Sequence, residues 1–172
     1  MGISLSNRQK RVEIDTRKIK RAGKKILSAL GCERSEVSLV IVNDEEITRL
    51  NRQYFQRNRP TNVIAFPMAA GDPDALNPHL LGDVVVSAET AERHSYAAGG
   101  KTEEEIIFLV IHGILHLLGY DHEGSPAERR KMETKERELF NGVGGFKGPR
   151  VRGAKLSEGR GQKRNSDHLQ IS

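Results

Sequence analysis

The sequence predicts one soluble domain that contains both helices and strands, and three observations support this prediction. The chain has 172 residues, 36% hydrophobic and 30% charged, which suffices for one hydrophobic core but not for two ordinary domains. Apolar runs typical of strands alternate with amphipathic helical patterns over residues 3–140. After residue 140 the sequence is glycine-rich and basic, without periodicity. We therefore expect a domain at residues 1–140 and a disordered basic tail at residues 141–172.

The first four predicted elements alternate between strand and helix. ISLS alternates as a strand does, and DTRKIKRAGKKILSALG follows as a helix with Asp15 as its N-cap and Gly31 as its stop. EVSLVIVN has the pattern of a buried strand. DEEITRLNRQYF is then predicted to be a helix capped by Asp44.

A loop and two strands come next. RNRPTNV is predicted to be a loop, because Pro60 disfavours the helical region for the residue before it. VIAFP is a short strand ended by Pro67, and GDVVVS is another apolar strand. AETAERHSYAAGG is a helix closed by paired glycines.

The segment TEEEIIFLVIHGILHLLG is the best-specified helix of the chain. Thr102 and Glu105 have the spacing of a capping box, and the acidic first turn suits the helix dipole. Large apolar residues occupy most of the circumference, so we expect this helix to be buried on nearly all sides. Gly119 supplies a left-handed stop, and SPAERRKMETKERELF forms a last helix with Pro126 in its first turn.

Composition excludes several classes of protein. The single cysteine, Cys32, rules out an intrachain disulfide and a cysteine-based zinc site. The N-terminus has no apolar signal region, and the longest apolar run is far shorter than a bilayer span, so we expect a cytoplasmic protein with no membrane contact. The net charge of +5 favours polyanionic partners such as RNA. The strongly basic face of the first helix has two interpretations, a solvated surface or a nucleic-acid contact.

Three histidines in HGILHLLGYDH indicate a metal site. His112 and His116 are four residues apart, which places them on one face of a helix, and Gly119 lets the chain reverse so that His122 can reach the same ion. Three imidazoles leave a fourth tetrahedral position open, as in catalytic zinc sites. We therefore expect these three residues to hold one zinc ion, although imidazoles also suit nickel or copper.

The second position of this run differs from that of zinc peptidases. In the H-E-x-x-H-x-x-G-x-x-H pattern a glutamate acts as general base, whereas this chain has Gly113. Two interpretations of the glycine stand: it leaves room for a bulky substrate, or it allows close packing of the helix. Neither supplies a base for peptide hydrolysis.

The whole run resembles the signature H-G-x-L-H-L-x-G-Y-D-H of the YbeY family of bacterial endoribonucleases. Two upstream segments, RPTNVIAFP and LLGDVVVS, also resemble segments of that family, in the same order and spacing. The resemblance covers roughly residues 3–140. It implies an α+β domain in which a small mixed sheet packs with helices, distantly like zinc peptidases. It also implies that His112, His116 and His122 bind the metal.

The resemblance further implies a single-strand-specific, metal-dependent endoribonuclease. Its expected roles are 16S ribosomal-RNA 3′-end maturation and ribosome quality control, with ribosomal RNA and ribosomal particles as partners. Members commonly carry an arginine directly after the tyrosine of the N-x-x-Y stretch, where this chain has Phe55. Arg57 and Arg59 lie nearby and are our candidates for holding the phosphate.

The sequence alone does not identify the general base. Asp121 is the acidic side chain nearest to the histidines in sequence and is our candidate catalytic residue. The other interpretation is that it orients a ligand imidazole or caps the turn. Asn62 and Asp83, in the family-like segments, are candidates for bracing the loop and the strand end.

Two alternative functions compete with RNA cleavage. One is a metal-dependent peptidase, against which the missing glutamate counts. The other is a non-catalytic ribosome-assembly factor with a structural metal, against which only the open coordination position argues. The tail likewise has two interpretations, a solvated extension or an electrostatic arm for ribosomal RNA.

Overall fold

A computed structural model describes residues 2–68, 74, 76–143 and 170–171 of the chain. Within these residues the elements follow the order β1 (Gly2–Asn7), α1 (Thr16–Ala29), β2 (Glu36–Val42), α2 (Asp44–Phe55), β3 (Val63–Pro67), β4 (Leu80–Ser87), α3 (Ala88–Ala97), α4 (Thr102–Leu117), α5 (Pro126–Gly142) and β5 (Gln170–Ile171).

The strands form one mixed sheet in the order β1-β2-β4-β3-β5. β1, β2 and β4 are parallel, so crossover connections link β1 to β2 and β2 to β4, whereas β3 runs antiparallel to both of its neighbours. Gly82 of β4 has a positive φ of 149°, beside a register shift where β4 pairs with β2. The predicted α+β fold with a small mixed sheet is confirmed.

The main core lies between one face of the sheet and the helices. α4 is its centre, since the residues from Glu105 to Leu117 are all buried. β2 and β4 supply alternate side chains to this core, as the period-2 geometry of a strand requires. α1 packs closely on β1, where Gly23 approaches Ile3. The expectation that the histidine helix is buried on nearly all sides is confirmed.

A smaller apolar cluster covers part of the opposite face. Phe55 of α2 is 9% exposed and packs with Ile47 of its own helix and with Ile64 and Val85 of the sheet. Tyr54 makes an edge-to-face contact with Phe66, with ring centroids 5.2 Å apart. Phe55, the residue after Tyr54, is therefore part of a hydrophobic cluster of this chain.

The N-cap of α2 differs from the prediction. Asn43, not Asp44, precedes the helix, and its side-chain oxygen accepts from the backbone N–H of Glu46 at 2.9 Å. Asp44 is the first helical residue, and its carboxylate accepts hydrogen bonds from Ser87 and Thr90 instead. Both residue types are good caps, so the tertiary network decides which one takes the position.

The predicted capping box of α4 is also wrong. Lys101 is the N-cap and makes no side-chain cap hydrogen bond. Thr102 is already helical, and Glu105 is only 1% exposed, so its side chain is taken into the core. A capping box does form in α5, between Ser125 and Glu128, followed by the expected Pro126.

The predicted domain boundary at residue 140 falls inside α5. The helix continues to Gly142. Val143 is only 8% exposed and belongs to the main core. Gln170–Ile171 pairs with Ala65 and Ile64 of β3 at the sheet edge, so this part of the predicted tail is a strand. Residues 144–169 and 172 lie outside the described residues, and their disorder stays a prediction.

Across the part of the chain that the structure describes, no helix combines the length and the apolar character needed to cross a bilayer.

Candidate metal centre

The three predicted histidines converge at one point. His112 and His116 project from the last turns of α4, and His122 returns from the following loop. One ring nitrogen from each lies within 4.8 Å of the others. The Nε2 atoms of His112 and His116 are 3.0 Å apart, so both nitrogens face the same position. The structure thus brings together the three residues that the spacing selected.

The chain reversal after α4 places His122. Gly119 adopts a φ of +92°, a left-handed conformation that favours glycine. The N–H of Tyr120 donates to the Leu115 carbonyl at 3.0 Å, and the N–H of Gly119 donates to the His116 carbonyl at 3.0 Å. These two bonds form a Schellman motif, which satisfies the last carbonyls of α4 while turning the chain back.

Two side chains fix the loop that carries His122. Oδ1 of Asp121 accepts from the backbone N–H of Glu123 at 2.9 Å, which forms a tight Asx turn around the histidine. Nε of Arg129, on α5, donates to the His122 carbonyl at 3.1 Å. The loop is therefore held both by its own turn and by the next helix.

Glu136 orients the first histidine. Its Oε1 lies 3.1 Å from Nδ1 of His112, and both side chains are fully buried. A carboxylate in this position accepts a hydrogen bond from Nδ1–H. The Nε2 lone pair of His112 is then directed at the position of an ion. Glu136 projects from α5, so the packing of α5 on α4 completes the site.

His122 has the chemistry of a ligand. Burial, supported by the charges of His112 and Arg129 and opposed by that of Glu136, lowers its pKa from 6.5 to about 4. The ring is consequently neutral near pH 7, as metal binding requires. Both ring nitrogens are buried without a hydrogen-bond partner among the described residues. Such orphaned nitrogens are costly in a purely structural histidine, so the site fits a metal ion.

Gly113 faces the sheet. A Cβ atom added there would lie 2.6 Å from Cγ1 of Val84 on β4, closer than real Cβ contacts allow. Close packing of α4 against β4 therefore explains the glycine at this position. A glutamate at this position would collide with β4, so the peptidase arrangement does not fit this helix.

Charged side chains surround the His122 loop. Oε1 of Glu123 lies 3.9 Å from Nε2 of His122. Burial raises the pKa of Glu123, and the charges of Arg57 and Arg129 oppose this rise. Arg57, from the loop between α2 and β3, thus lies within electrostatic reach of the histidine loop.

The structure places Arg59, the second candidate for phosphate binding, and Phe55, the residue after Tyr54, differently from Arg57. Arg59 has an exposed side chain, and its carbonyl accepts from Nδ2 of Asn51 at 2.9 Å. Its part in the site stays a prediction. Phe55 lies in the smaller apolar cluster and not beside the histidines.

Sequence reasoning missed three residues of this site: Glu123, Arg129 and Glu136. Only Glu136 left a signal that could have been found. It shares the buried side of α5 with Met132, Leu139 and Phe140, so a charged residue occupies a core-facing position. Such a position is rarely acidic unless the carboxylate has a buried partner.

Comparisons with known proteins assign most of this chain to one family. Residues 4–144 match the family described as Endoribonuclease YbeY. A Geobacter metallireducens protein named Endoribonuclease YbeY is 50% identical over 141 residues, covering 81% of this chain and 94% of the relative. A Syntrophus aciditrophicus protein of the same name is 45% identical over 141 residues, covering 81% and 88%.

A solved structure supports the fold. The solution structure of a Thermotoga maritima protein superimposes with a TM-score of 0.59 at 26% sequence identity. The match covers 82% of this chain and 88% of that chain.

Proposed function

The chain belongs to the YbeY family of endoribonucleases, and from this premise we propose that it cleaves single-stranded ribosomal RNA in a metal-dependent reaction. The expected biological step is maturation of the 16S 3′ end, with a further role in ribosome quality control. The observation that carries the proposal is the cluster of the buried His112 and His116 with the partly buried His122, in which one ring nitrogen of each lies within 4.8 Å of the others.

These three imidazoles would hold the ion, and zinc is our proposal for its identity. Three neutral nitrogen donors suit zinc, and nickel or copper are the other candidates. A bound divalent ion supplies a Lewis acid that stabilises negative charge on a phosphoryl oxygen. Glu136 keeps His112 in the tautomer that this binding needs.

The phosphodiester itself needs cationic partners. Phosphoryl transfer places negative charge on the non-bridging oxygens, which guanidinium groups stabilise well. Arg57 is our first candidate because its charge acts on Glu123, beside His122. Arg59 is the second candidate, and its side chain is exposed.

Arg129 is a third cation at this site. Its Nε donates to the His122 carbonyl, which is the one side-chain hydrogen bond that Arg129 makes within the described part of the chain. Its terminal nitrogens therefore face no described acceptor. We assign Arg129 a positioning role for the loop and leave phosphate binding to Arg57 and Arg59.

We propose a positioning role for Asp121 in preference to that of general base. Its Oδ1 holds the turn through the Glu123 N–H, so the carboxylate shapes the loop that carries His122. Glu123 offers a second carboxylate, which accepts no hydrogen bond among the described residues and lies 3.9 Å from the His122 ring. Both carboxylates lie in the loop that carries His122.

Ribosomal particles, as distinct from free RNA, remain a proposed partner, and a cytoplasmic location is proposed with them. Residues 144–169 carry a basic tail in sequence, for which we propose an electrostatic arm that strengthens RNA binding. Removal of the tail should begin after Val143, since Val143 belongs to the buried core.

One substrate panel separates the three candidate functions. The purified full chain is incubated with a single-stranded RNA, a duplex of the same sequence, a 16S 3′-precursor RNA and a peptide library, and its binding to ribosomal particles is measured in parallel. The proposal predicts cleavage of the single strand and the precursor, and no peptide products. Peptide products without RNA cleavage would establish the peptidase, and binding to ribosomal particles without any cleavage would establish the assembly factor.

A further inference from the structure

The outer side of α1 is a basic face. It consists of Arg17, Lys18, Lys20, Arg21, Lys24 and Lys25, and no acidic residue lies within the helix. All of these except the half-buried Lys18 are exposed. The opposite side is apolar and packs into the main core, which fixes the direction in which the cations point.

The five exposed cations of this face have no acidic partners within the described part of the chain. The ion pairs of the surface lie on other elements, such as Arg93 with Asp44 and Lys135 with Glu138. None of the five exposed cations of α1 takes part in an ion pair there. Like charges three and four residues apart repel on a helix, so this arrangement destabilises α1 unless anions approach it.

The start of the basic face lies away from the metal centre. The N–H of Asp15, at the start of α1, donates to the Glu103 side chain in the first turn of α4, at 3.2 Å. His116 is thirteen residues further along α4, about 20 Å at a rise of about 1.5 Å per residue. The other end of the face, at Lys24 beside Gly2, lies at the end of the sheet where α4 finishes, so one RNA can reach both.

We propose that the basic face of α1 is a docking surface for the phosphate backbone of structured ribosomal RNA. Lysine and arginine rows bind polyanionic backbones by displacing condensed counterions, without reading sequence. That the polyanion is ribosomal RNA rests on the proposed function. The surface holds a helical part of the RNA while a single-stranded part reaches His112, His116 and His122.

The test compares two double variants of the full chain. Lys20→Gln/Lys24→Gln removes two charges, four residues apart, from the basic face. Lys131→Gln/Lys135→Gln removes the same charges at the same spacing from α5, whose helix also carries glutamates. Glutamine is a good helix former, so α1 stays folded, which circular dichroism checks.

Binding of a structured 16S 3′ fragment is measured by fluorescence anisotropy over a salt series. We expect the α1 variant to bind about tenfold more weakly at about 0.1 M salt, with a salt slope smaller by about 1.4 to 1.8. The α5 variant should bind like wild type. Unchanged binding by the α1 variant, or an equal loss in both variants, would overturn the proposal.

Two further measurements separate this proposal from the proposed function and from other ligands. The α1 variant should cleave a short single-stranded RNA as fast as wild type, while its KM for the structured fragment rises. Binding needs no cleavage, so it still tests the docking surface if the chain cuts no RNA. If polyglutamate binds wild type as tightly as the RNA fragment does, and the α1 variant loses this binding, the ligand of the face would be an acidic protein instead.

Discussion

His112 and Glu136 form a fully buried pair, with Nδ1 of the ring 3.1 Å from a carboxylate oxygen. The carboxylate accepts a hydrogen bond from Nδ1–H and fixes the ring so that Nε2 points at the other histidines. Glu136→Gln should therefore weaken metal affinity by about 10- to 100-fold, with a parallel loss of RNA cleavage. Competition with a chelator measures the affinity.

Glu138→Gln is the matched control, because Glu138 lies on the same helix in an exposed pair with Lys135. It should leave metal affinity unchanged. A Glu136→Gln protein that holds its metal as tightly as wild type would show that Glu136 has no part in orienting the ligand.

Gly113 and Val84 make the closest approach between α4 and β4. Gly113→Ala places a methyl group 2.6 Å from Cγ1 of Val84, and such overpacking should lower the free energy of unfolding by about 1–3 kcal/mol. Adding Val84→Ala makes room for the methyl group and should restore part of the loss relative to Val84→Ala alone. Urea unfolding of the two single variants and the double variant measures this coupling.

If Gly113→Ala unfolds like wild type but cuts RNA more slowly, the glycine serves the substrate and not the helix packing. The sequence left these two interpretations open because a glycine shows only that space is needed, not which neighbour needs it.

The metal ligands were predictable because their geometry is local. His112 and His116 lie one helical turn apart, and Gly119 marks the reversal that brings back His122, so spacing alone selects all three. Glu136 and Arg129 join the site only through the packing of α5 on α4. No local pattern encodes that packing, so their roles followed only from the structure.

The caps illustrate the same limit. Asn43 and Asp44 are adjacent and both suit an N-cap, so their sequence does not distinguish them. Contacts with Ser87 and Thr90, more than forty positions along the chain, occupy Asp44 and leave the cap to Asn43. Thr102 and Glu105 have capping-box spacing, but burial of Glu105 removes its side chain from the helix end.

Asp121 offers a test between positioning and general-base roles. Asp121→Asn keeps an oxygen that can accept from the Glu123 N–H, whereas Asp121→Ala removes it. If the residue positions the loop, the asparagine variant should keep most of the metal affinity and RNA cleavage, while the alanine variant loses both. Metal affinity and kcat are measured for each.

A general base gives a different pattern. Both variants would then lose RNA cleavage to the same extent while keeping wild-type metal affinity, because neither side chain can take a proton from water.

Asp44 contributes to stability in a pH-dependent way. Burial alone would raise its pKa, but hydrogen bonds from Ser87, Thr90 and Arg93, and the charge of Arg93, together outweigh burial and lower it below 3.8. A carboxyl whose pKa is lowered by folding stabilises the protein above its ordinary value, and the effect is lost as the pH falls through the folded value. Asp44→Ala should cost about 1–3 kcal/mol at pH 7.

The pH profile checks the sign of this effect. The difference in unfolding free energy between wild type and Asp44→Ala should be constant at neutral pH and should shrink as the pH falls below about 4. A difference that grows with acidification would show that the folded protein prefers the protonated carboxyl.

The central claim is that the three-histidine centre holds the metal used in RNA cleavage, and His116→Ala tests it most directly. Metal content is measured on the purified protein, and cleavage is measured on a 16S 3′-precursor RNA. We predict about one ion per chain and precursor cleavage for wild type, and loss of both in His116→Ala. A His116→Ala protein that has lost its metal and still cuts the RNA as fast as wild type would contradict the account.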